Sequence, residues 1–322
     1  MRTTAAILLG LALALAAAAS LALPWPPLAA LFGRDAELAS AVLIELRLPR
    51  AALGLVYGAT LGAAGAAVQA LFANPLASPD ITGTTSGAAL GAVVTAYIFG
   101  FAAPIALSVG AIAGALGALA LLLALAGPKA ETATLLLSGL AISALAGALT
   151  TLALALAPSP FAFYDAYDWL MGSLVDRSLA QTGFAAIPAV FSIAWLLRLS
   201  EPLDHLALGE EVAQSFGHNI RSLRLRIVCL TAFGVGACVA ICGAIGFIGL
   251  VAPIFARRLT RGHPGRAILP AALIGALLLT AADLVVRLAP VGRTLPIGVV
   301  TALLGAPFFL WLVAHMRWRL RA

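Results

Sequence analysis

Apolar residues run along this chain in long unbroken stretches, not in the half-apolar periodicity of a helix that faces water on one side. Such stretches fall at about 4–23, 51–72, 83–101, 104–126, 134–157, 181–199, 227–250, 268–289 and 295–314. Each has about the 20 residues that carry an α-helix through a bilayer. Between the seventh and eighth, Ala244 to Leu259 contains Gly246, Gly249 and Pro253, which can break the segment and create a short extra helix. The pattern predicts nine or ten spans: an all-α polytopic membrane protein, with residues 1–322 forming one transmembrane domain. The first stretch follows Arg2 and has signal-peptide length, but it exceeds the usual apolar core of about 7–15 residues and is expected to stay as the first helix.

Composition sharpens this reading. Hydrophobic residues make up 62% of the chain and charged ones 10%, against about 25% charged in an ordinary soluble domain. Ten crossings use about 200 residues and leave about 120 for two ends and nine connections. A folded nucleotide-hydrolysing or binding domain needs on the order of 100 residues of its own, so any such activity must sit on a partner.

The excess of nineteen Lys+Arg over thirteen Asp+Glu reads as topology and not as affinity for nucleic acid. With ten spans and an inner N-terminus, six basic residues fall outside: Arg34, Arg47, Arg50, Arg177, Arg287 and Arg293. The other thirteen, among them Arg2, Lys129, Arg257, Arg258, Arg317, Arg319 and Arg321, fall inside. Basic residues concentrate on the cytoplasmic side, so both termini are expected there. Nine spans would turn Arg317, Arg319 and Arg321 outward.

Small residues four apart, Gly54, Gly58, Gly62 and Gly83, Gly87, Gly91, predict close helix packing. A weak self-similarity relates Gly58, Gly65, Pro75 and Gly87 to Gly236, Gly243, Pro253 and Gly265, as in inverted-repeat transporters. Cys229, Cys238 and Cys242 share one apolar run and read as packing residues. No cofactor or metal is expected. The lone Lys129 lacks the Gly-Lys-Ser/Thr setting of a phosphate-binding loop, and His205, His218, His263 and His315 form no ligand spacing. Asp165, Asp168 and Asp176 with Tyr164, Tyr167 and Trp169 read as a solvated interfacial loop.

Three segments stand out from this background. In 201–221, between the sixth and seventh helices, Leu208, Val212 and Phe216 recur at i, i+4 and i+8 opposite Glu210, Glu211 and Gln214, and Gly217 suits a helix C-terminus. The amphipathic helix so predicted either lies on lipid headgroups or fits a groove of a cytosolic partner. On the outer side, Arg47, Arg50 and Arg287 either snorkel at helix ends or present guanidinium forks to carboxylates of an extracytoplasmic partner. Asp283 and Arg287, four apart, can also pair within the membrane. Third, Gln69 to Gly83, with Asn74, Pro75, Pro79 and Asp80, predicts irregular backbone at membrane depth, tolerated only where it is buried or lines a water-filled path. Ser138, Ser143, Thr150 and Thr151 either line the same path or bond to neighbouring helices.

Taken together the segments resemble the FecCD family, the permease subunits of ABC importers for iron siderophores, haem and vitamin B12. The resemblance covers nearly the whole chain. It rests on Leu46-Arg-Leu-Pro-Arg50; Gly58 to Gly65 running through Gln69-Ala-Leu-Phe-Ala-Asn-Pro-Leu-Ala77 to Thr85-Ser-Gly-Ala88; Trp169-Leu-Met-Gly-Ser173; Leu206-Ala-Leu-Gly-Glu-Glu-Val-Ala213; Gly243 to Pro253; and Leu295 to Phe309. It implies the ten-helix fold of vitamin B12-type (type II) importers, a second permease subunit, two cytosolic ATP-binding cassette subunits, and a periplasmic binding protein. It further implies that Leu206, Leu208, Gly209, Glu210, Glu211, Val212, Ala213, Phe216 and Gly217 match the coupling helix that sits in a cleft of the ATPase. Arg47, Arg50 and Arg287 match positions that meet acidic residues of the binding protein. Gln69, Asn74, Pro75, Ser143, Thr150 and Thr151 are the candidate pathway or gate residues. One position departs: where the family usually has His after Val251-Ala-Pro253, this chain has Ile254.

The expectation is a non-catalytic permease of a bacterial inner membrane that moves a metal chelate, foremost an iron siderophore, by alternating access; haem and cobalamin are the alternatives. A stand-alone secondary transporter would need intramembrane acids or histidines to couple an ion gradient, and only Asp283 stands within a predicted span. A membrane enzyme would need a paired acid/base or metal constellation in the spans, and the sequence offers none.

Overall fold

The structure, a computed structural model, describes residues 3–101, 103–127, 132–157, 159–288 and 295–319. Arg2, Lys129, Arg293 and Arg321, which entered the charge tally, lie outside the described residues, as does residue 289 at the end of the eighth apolar stretch.

The chain is helical along nearly all of this length. In order come α1 (Thr3–Ala22), the short α2 (Trp25–Phe32) and α3 (Ala36–Ala41), a π-helical turn (Val42–Arg47), α4 (Leu48–Leu71), α5 (Thr84–Tyr97), α6 (Pro104–Ala126), α7 (Thr132–Ala155) and α8 (Pro160–Leu170). Then follow α9 (Leu179–Arg198), α10 (Ser200–Leu206), α11 (Glu210–Ser215), α12 (Ile220–Cys242), α13 (Ile248–Leu259), α14 (Ile268–Leu288) and α15 (Ile297–Arg319). Counted as crossings, α1, α4, α5, α6, α7, α9, α12, α13, α14 and α15 give the ten anticipated.

Seven of these stretches, through α1, α4, α6, α7, α9, α12 and α14, are long and apolar enough to span by themselves. The 14 residues of α5 and 12 of α13 are too short, because each begins beyond a stretch of irregular backbone. The break predicted between 244 and 259 is real: Gly243 closes α12 at φ 73° and Phe247 opens α13 at φ 66°. Its backbone groups are satisfied from outside. The Tyr57 hydroxyl of α4 donates to the Gly243 carbonyl (3.0 Å) and accepts from the Ile245 N–H (3.3 Å), and Ser173 N–H donates to the Cys242 carbonyl (2.8 Å). In the connection 72–83, the Asn74 side chain accepts from Leu76 N–H at 2.9 Å and Thr82 Oγ1 donates to the Pro79 carbonyl at 2.8 Å. This is how irregular backbone survives where lipid offers no partner.

α4 and α12 form the centre. The chain buries 78% of the stretch through α4 and 72% of α12, but 6% of α1 and 22% of α7. α4 packs against α13 and α14, and α12 against α5 and α6. Each central helix thus meets the following two helices of the other half, the exchange that an inverted repeat around Gly58 and Gly236 predicts.

Glycine stripes make these contacts close. A methyl group added at Gly62 would run into the Ala271 carbonyl of α14, and one at Gly58 into the backbone of Gly275 and Ala276. Gly87 and Gly91 of α5 stand against Gly114 and Gly110 of α6 in the same way. Gly83 differs from the sequence expectation. It precedes α5 as its N-cap at φ 81°, a left-handed conformation that glycine adopts without a Cβ penalty, so it ends the turn and does not extend the stripe. Cys238 and Cys242 are buried, Cys229 is half-buried, and all three are free thiols.

Candidate functional site

Two candidate regions lie at opposite ends of the bundle, with the broken segments between them. At one end, α10 and α11 bridge the close of α9 and the start of α12. The single amphipathic helix expected from Leu206 to Gly217 is in fact two short ones: Leu206 ends α10, and Leu208 and Gly209 form the joint. Gly209, at φ 119°, takes a backbone form that stops helical continuity, so Leu208 stands outside the stripe it seemed to begin.

Gly217 ends α11, as its residue type suggested. Gly217 sits at φ 84°, its N–H donating to the Gln214 carbonyl (2.8 Å) while His218 N–H reaches the Ala213 carbonyl (3.1 Å). This paired arrangement satisfies the last carbonyls of α11. Ala213 alone of α11 is buried. Leu208 (67%), Val212 (37%) and Phe216 (59%) are exposed, as are Glu210, Glu211 and Gln214. Val212 of α11 and the flanking Leu208 and Phe216 thus leave apolar surface exposed beside the carboxylates of Glu210 and Glu211.

Internal bonds hold this segment in place. His205 Nδ1 meets His218 Nε2 at 2.9 Å, and the His205 ring stacks on Phe216 with centroids 4.3 Å apart. Arg224 of α12 pairs with Glu210. Asp204 Oδ1 accepts from Gly265 N–H (2.8 Å) in the α13–α14 connection, and Arg266 approaches its Oδ2 at 3.6 Å. These bonds tie α11 to the start of α12 and α10 to the α13–α14 connection.

At the opposite end, Arg47, Arg50 and Arg287 converge as the sequence suggested, but toward the protein. Arg50 forms a fork with Asp283: Nε lies 2.9 and 3.1 Å from Oδ1 and Oδ2, and Nη2 lies 2.8 Å from Oδ1. Arg287 Nε donates to Asp283 Oδ2 at 2.9 Å, the i, i+4 pairing anticipated, and its remaining nitrogens bond Ser20 of α1. Arg47 caps the end of α1, donating to the carbonyls of Leu21 and Ala22 at 2.8 Å and of Pro24 at 3.1 Å. Three guanidinium groups stand against one carboxylate, so the cluster carries a net charge of +2.

The candidate pathway residues occupy separate settings. Gln69 is fully buried; its Nε2 donates to the Leu250 carbonyl of α13 (3.2 Å), while its Oε1 has no partner. Asn74 and Pro75 lie half-buried on the 72–83 turn. Ser143 Oγ donates to the Asp80 carbonyl at 3.1 Å, joining α7 to that turn. Thr150 and Thr151 bond back to the Ala146 and Gly147 carbonyls of their own helix (2.8 and 2.9 Å).

Asp283 is not the only acid inside the bundle. The Asp80 carboxylate lies beside Gly246, where a Cβ would be 3.7 Å from Oδ2. Asp80 falls in a turn that bends back into the helices, a path that hydropathy cannot show. The acidic, aromatic stretch read as a loop is the helix α8, capped by Ser159 Oγ accepting from Ala162 N–H at 3.2 Å. Ile254 lines an apolar hollow of about 330 Å³ with Phe255, Arg258, Phe308 and Trp311.

An all-helical bundle with two broken crossings, an exposed short helix pair at one end and a basic cluster at the other is the build of a transporter's membrane subunit. Residues 6–315 match the FecCD transport family. The chain belongs to that family, whose members are permease subunits of ABC transporters. It is 40% identical over 297 residues to the vitamin B12 import system permease protein BtuC of Vibrio cholerae, covering 88% of this chain and 86% of that one. It is 37% identical over 274 residues to the Fe(3+)-citrate import system permease protein YfmE of Bacillus subtilis, covering 84% and 81%. A structure described as an inward-facing conformation of a metal-chelate-type ABC transporter superposes with a TM-score of 0.83 at 32% identity over 95% of this chain and 97% of that one. PsaBC from Streptococcus pneumoniae, at TM-score 0.56 and 17% identity over 85% and 94%, shares the fold alone.

Proposed function

We propose that the chain is the permease subunit of a bacterial inner-membrane importer that passes a metal chelate, foremost an iron siderophore, from a periplasmic binding protein to the cytoplasm by alternating access. In this reading the α10–α11 end and both termini are cytoplasmic, and lipid surrounds the bundle. A second permease subunit, identical or not, completes the pathway. Two cytosolic ATP-binding cassette subunits engage 201–221, and hydrolysis belongs to them. The observation that carries the reading is the exposed Leu208, Val212 and Phe216 on a segment tied by Glu210 to α12 and by Asp204 to the α13–α14 connection.

Closure of the ATPase pair moves α10 and α11, and their ties tilt α9 and α12 together with α13 and α14. Displacement then reaches the broken segments 72–83 and 243–247, where Gln69, Asn74, Pro75 and Ser143 hold the crossing and form the gate. At the other end Arg47, Arg50 and Arg287 attract the binding protein's carboxylates through their net field; most of their guanidinium nitrogens already bond internally. Relatives for both vitamin B12 and ferric citrate fit one scaffold, and the apolar surroundings of Ile254 favour a ligand that needs no histidine there. Uptake of labelled ferric siderophores, haem and cobalamin by a deletion strain carrying this gene tests the assignment. Accumulation of a ferric siderophore supports it, accumulation of cobalamin alone moves the ligand to the alternative, and accumulation without any ATPase subunit overturns the mechanism.

A further inference from the structure

A cavity of about 210 Å³, open on one side, lies under α8, at the end of the bundle opposite α10 and α11, lined by α5, α6, α8, the start of α9 and the end of α12. Its polar lining comes from Tyr97, Asp165, Trp169, Arg177 and Gln181 over an apolar floor that includes Ile241. Neither Asp165 nor Arg177 makes a hydrogen bond or ion pair among the described residues, and Arg177 Nε is buried without a partner. Gln181 uses Oε1 to accept from Ser178 N–H (2.9 Å) in capping α9 and keeps its amide NH₂ free. Tyr97 donates its hydroxyl to the Ala162 carbonyl at 2.6 Å, which pins α8 as a roof and leaves the tyrosine ring as a wall.

Buried donors are rarely left unsatisfied without a reason, and opposite charges that line one cavity without pairing need a ligand able to meet both. We propose that this cavity binds a small zwitterion of amino-acid size. Its carboxylate would meet the Arg177 guanidinium and the Gln181 amide, as charge-assisted bonding favours. Its ammonium would face Asp165 and the rings of Trp169 and Tyr97, which attract cations. At about 30 Å³ for each water-sized group, the cavity has room for about seven such groups, enough for an amino acid with a short side chain. The site lies within one chain and is independent of which ligand is imported.

The test is calorimetric titration of the full-length protein in lipid nanodiscs with L-alanine, sodium acetate and methylammonium chloride. L-Alanine is expected to bind saturably in the millimolar range or tighter, and each single-charge probe about tenfold more weakly. Arg177→Gln and Asp165→Asn are each expected to weaken L-alanine binding about tenfold or more. Asp165 is exposed, so its variant keeps the melting temperature. Absence of saturable L-alanine binding overturns the proposal, as does binding unchanged in both variants. Acetate binding as tightly as L-alanine and indifferent to Asp165→Asn overturns it too, since that describes a bare anion site.

Discussion

Replacing Asp283 with Asn separates the structural role of the arginine cluster from the proposed docking role, because stability is expected to fall while association is not. The Asp283 side chain is 3% exposed and serves Arg50 and Arg287, themselves 18% and 6% exposed. Neutralising it leaves two cations facing each other in a nearly dry site. Removing one member of a buried pair costs about 3–5 kcal/mol. Arg50 retains some solvent and Arg287 retains Ser20, which places the expectation near the lower bound, about 3 kcal/mol. At roughly 2–4 °C per kcal/mol, the melting temperature in nanodiscs should fall by about 6–12 °C. Replacing all three side chains by apolar ones of similar size should restore most of it, since buried pairs are often exchanged at little cost. Binding-protein association should not weaken in Asp283→Asn, because the cluster's charge rises from +2 to +3. A variant that melts within about 1 °C of the wild type would refute the reasoning, by showing that the pair contributes no net stability.

Three further outcomes follow from the same geometry. Arg47→Gln with Arg50→Gln should reduce binding-protein affinity, and more strongly at low than at high salt; surface plasmon resonance at two ionic strengths measures this. Gly62→Leu should prevent α4 from reaching α14 and abolish monodisperse protein in size-exclusion chromatography, whereas Gly117→Ala, with nothing within 4 Å, should behave as wild type. Tyr57→Phe should strip buried partners from Gly243 and Ile245 at a cost of about 1–3 kcal/mol, read as a lowered melting temperature.

Spans are legible in this sequence because burial in lipid demands long apolar runs; of the residues read as a break within them, Gly246 falls in the break at 243–247, whereas Gly249 and Pro253 lie inside α13. The short α5 and α13 were harder to delimit, since a half-length crossing carries too few residues to register alone. Pairing showed the same division. Asp283 and Arg287 are four apart on one helix and predictable, but Arg50 reaches Asp283 across 233 positions, and the Arg47 bonds to the end of α1 depend on tertiary placement. The stripe through Leu208, Val212 and Phe216 was visible as a period, yet Gly209 interrupts it. Asp80 and the cavity at Arg177 escaped because both arise where turns fold back among helices.

The central claim is that α10 and α11 are the handle by which an ATPase moves this bundle. Leu208 and Val212 are exposed, so Leu208→Asp and Val212→Asp should fold with unchanged melting temperatures. Co-expression with the cassette subunit and affinity purification through the permease measures the contact directly. The account predicts that the wild type retains the ATPase in stoichiometric amount and that each aspartate variant loses it. Equal recovery of ATPase with wild type and both variants would contradict it.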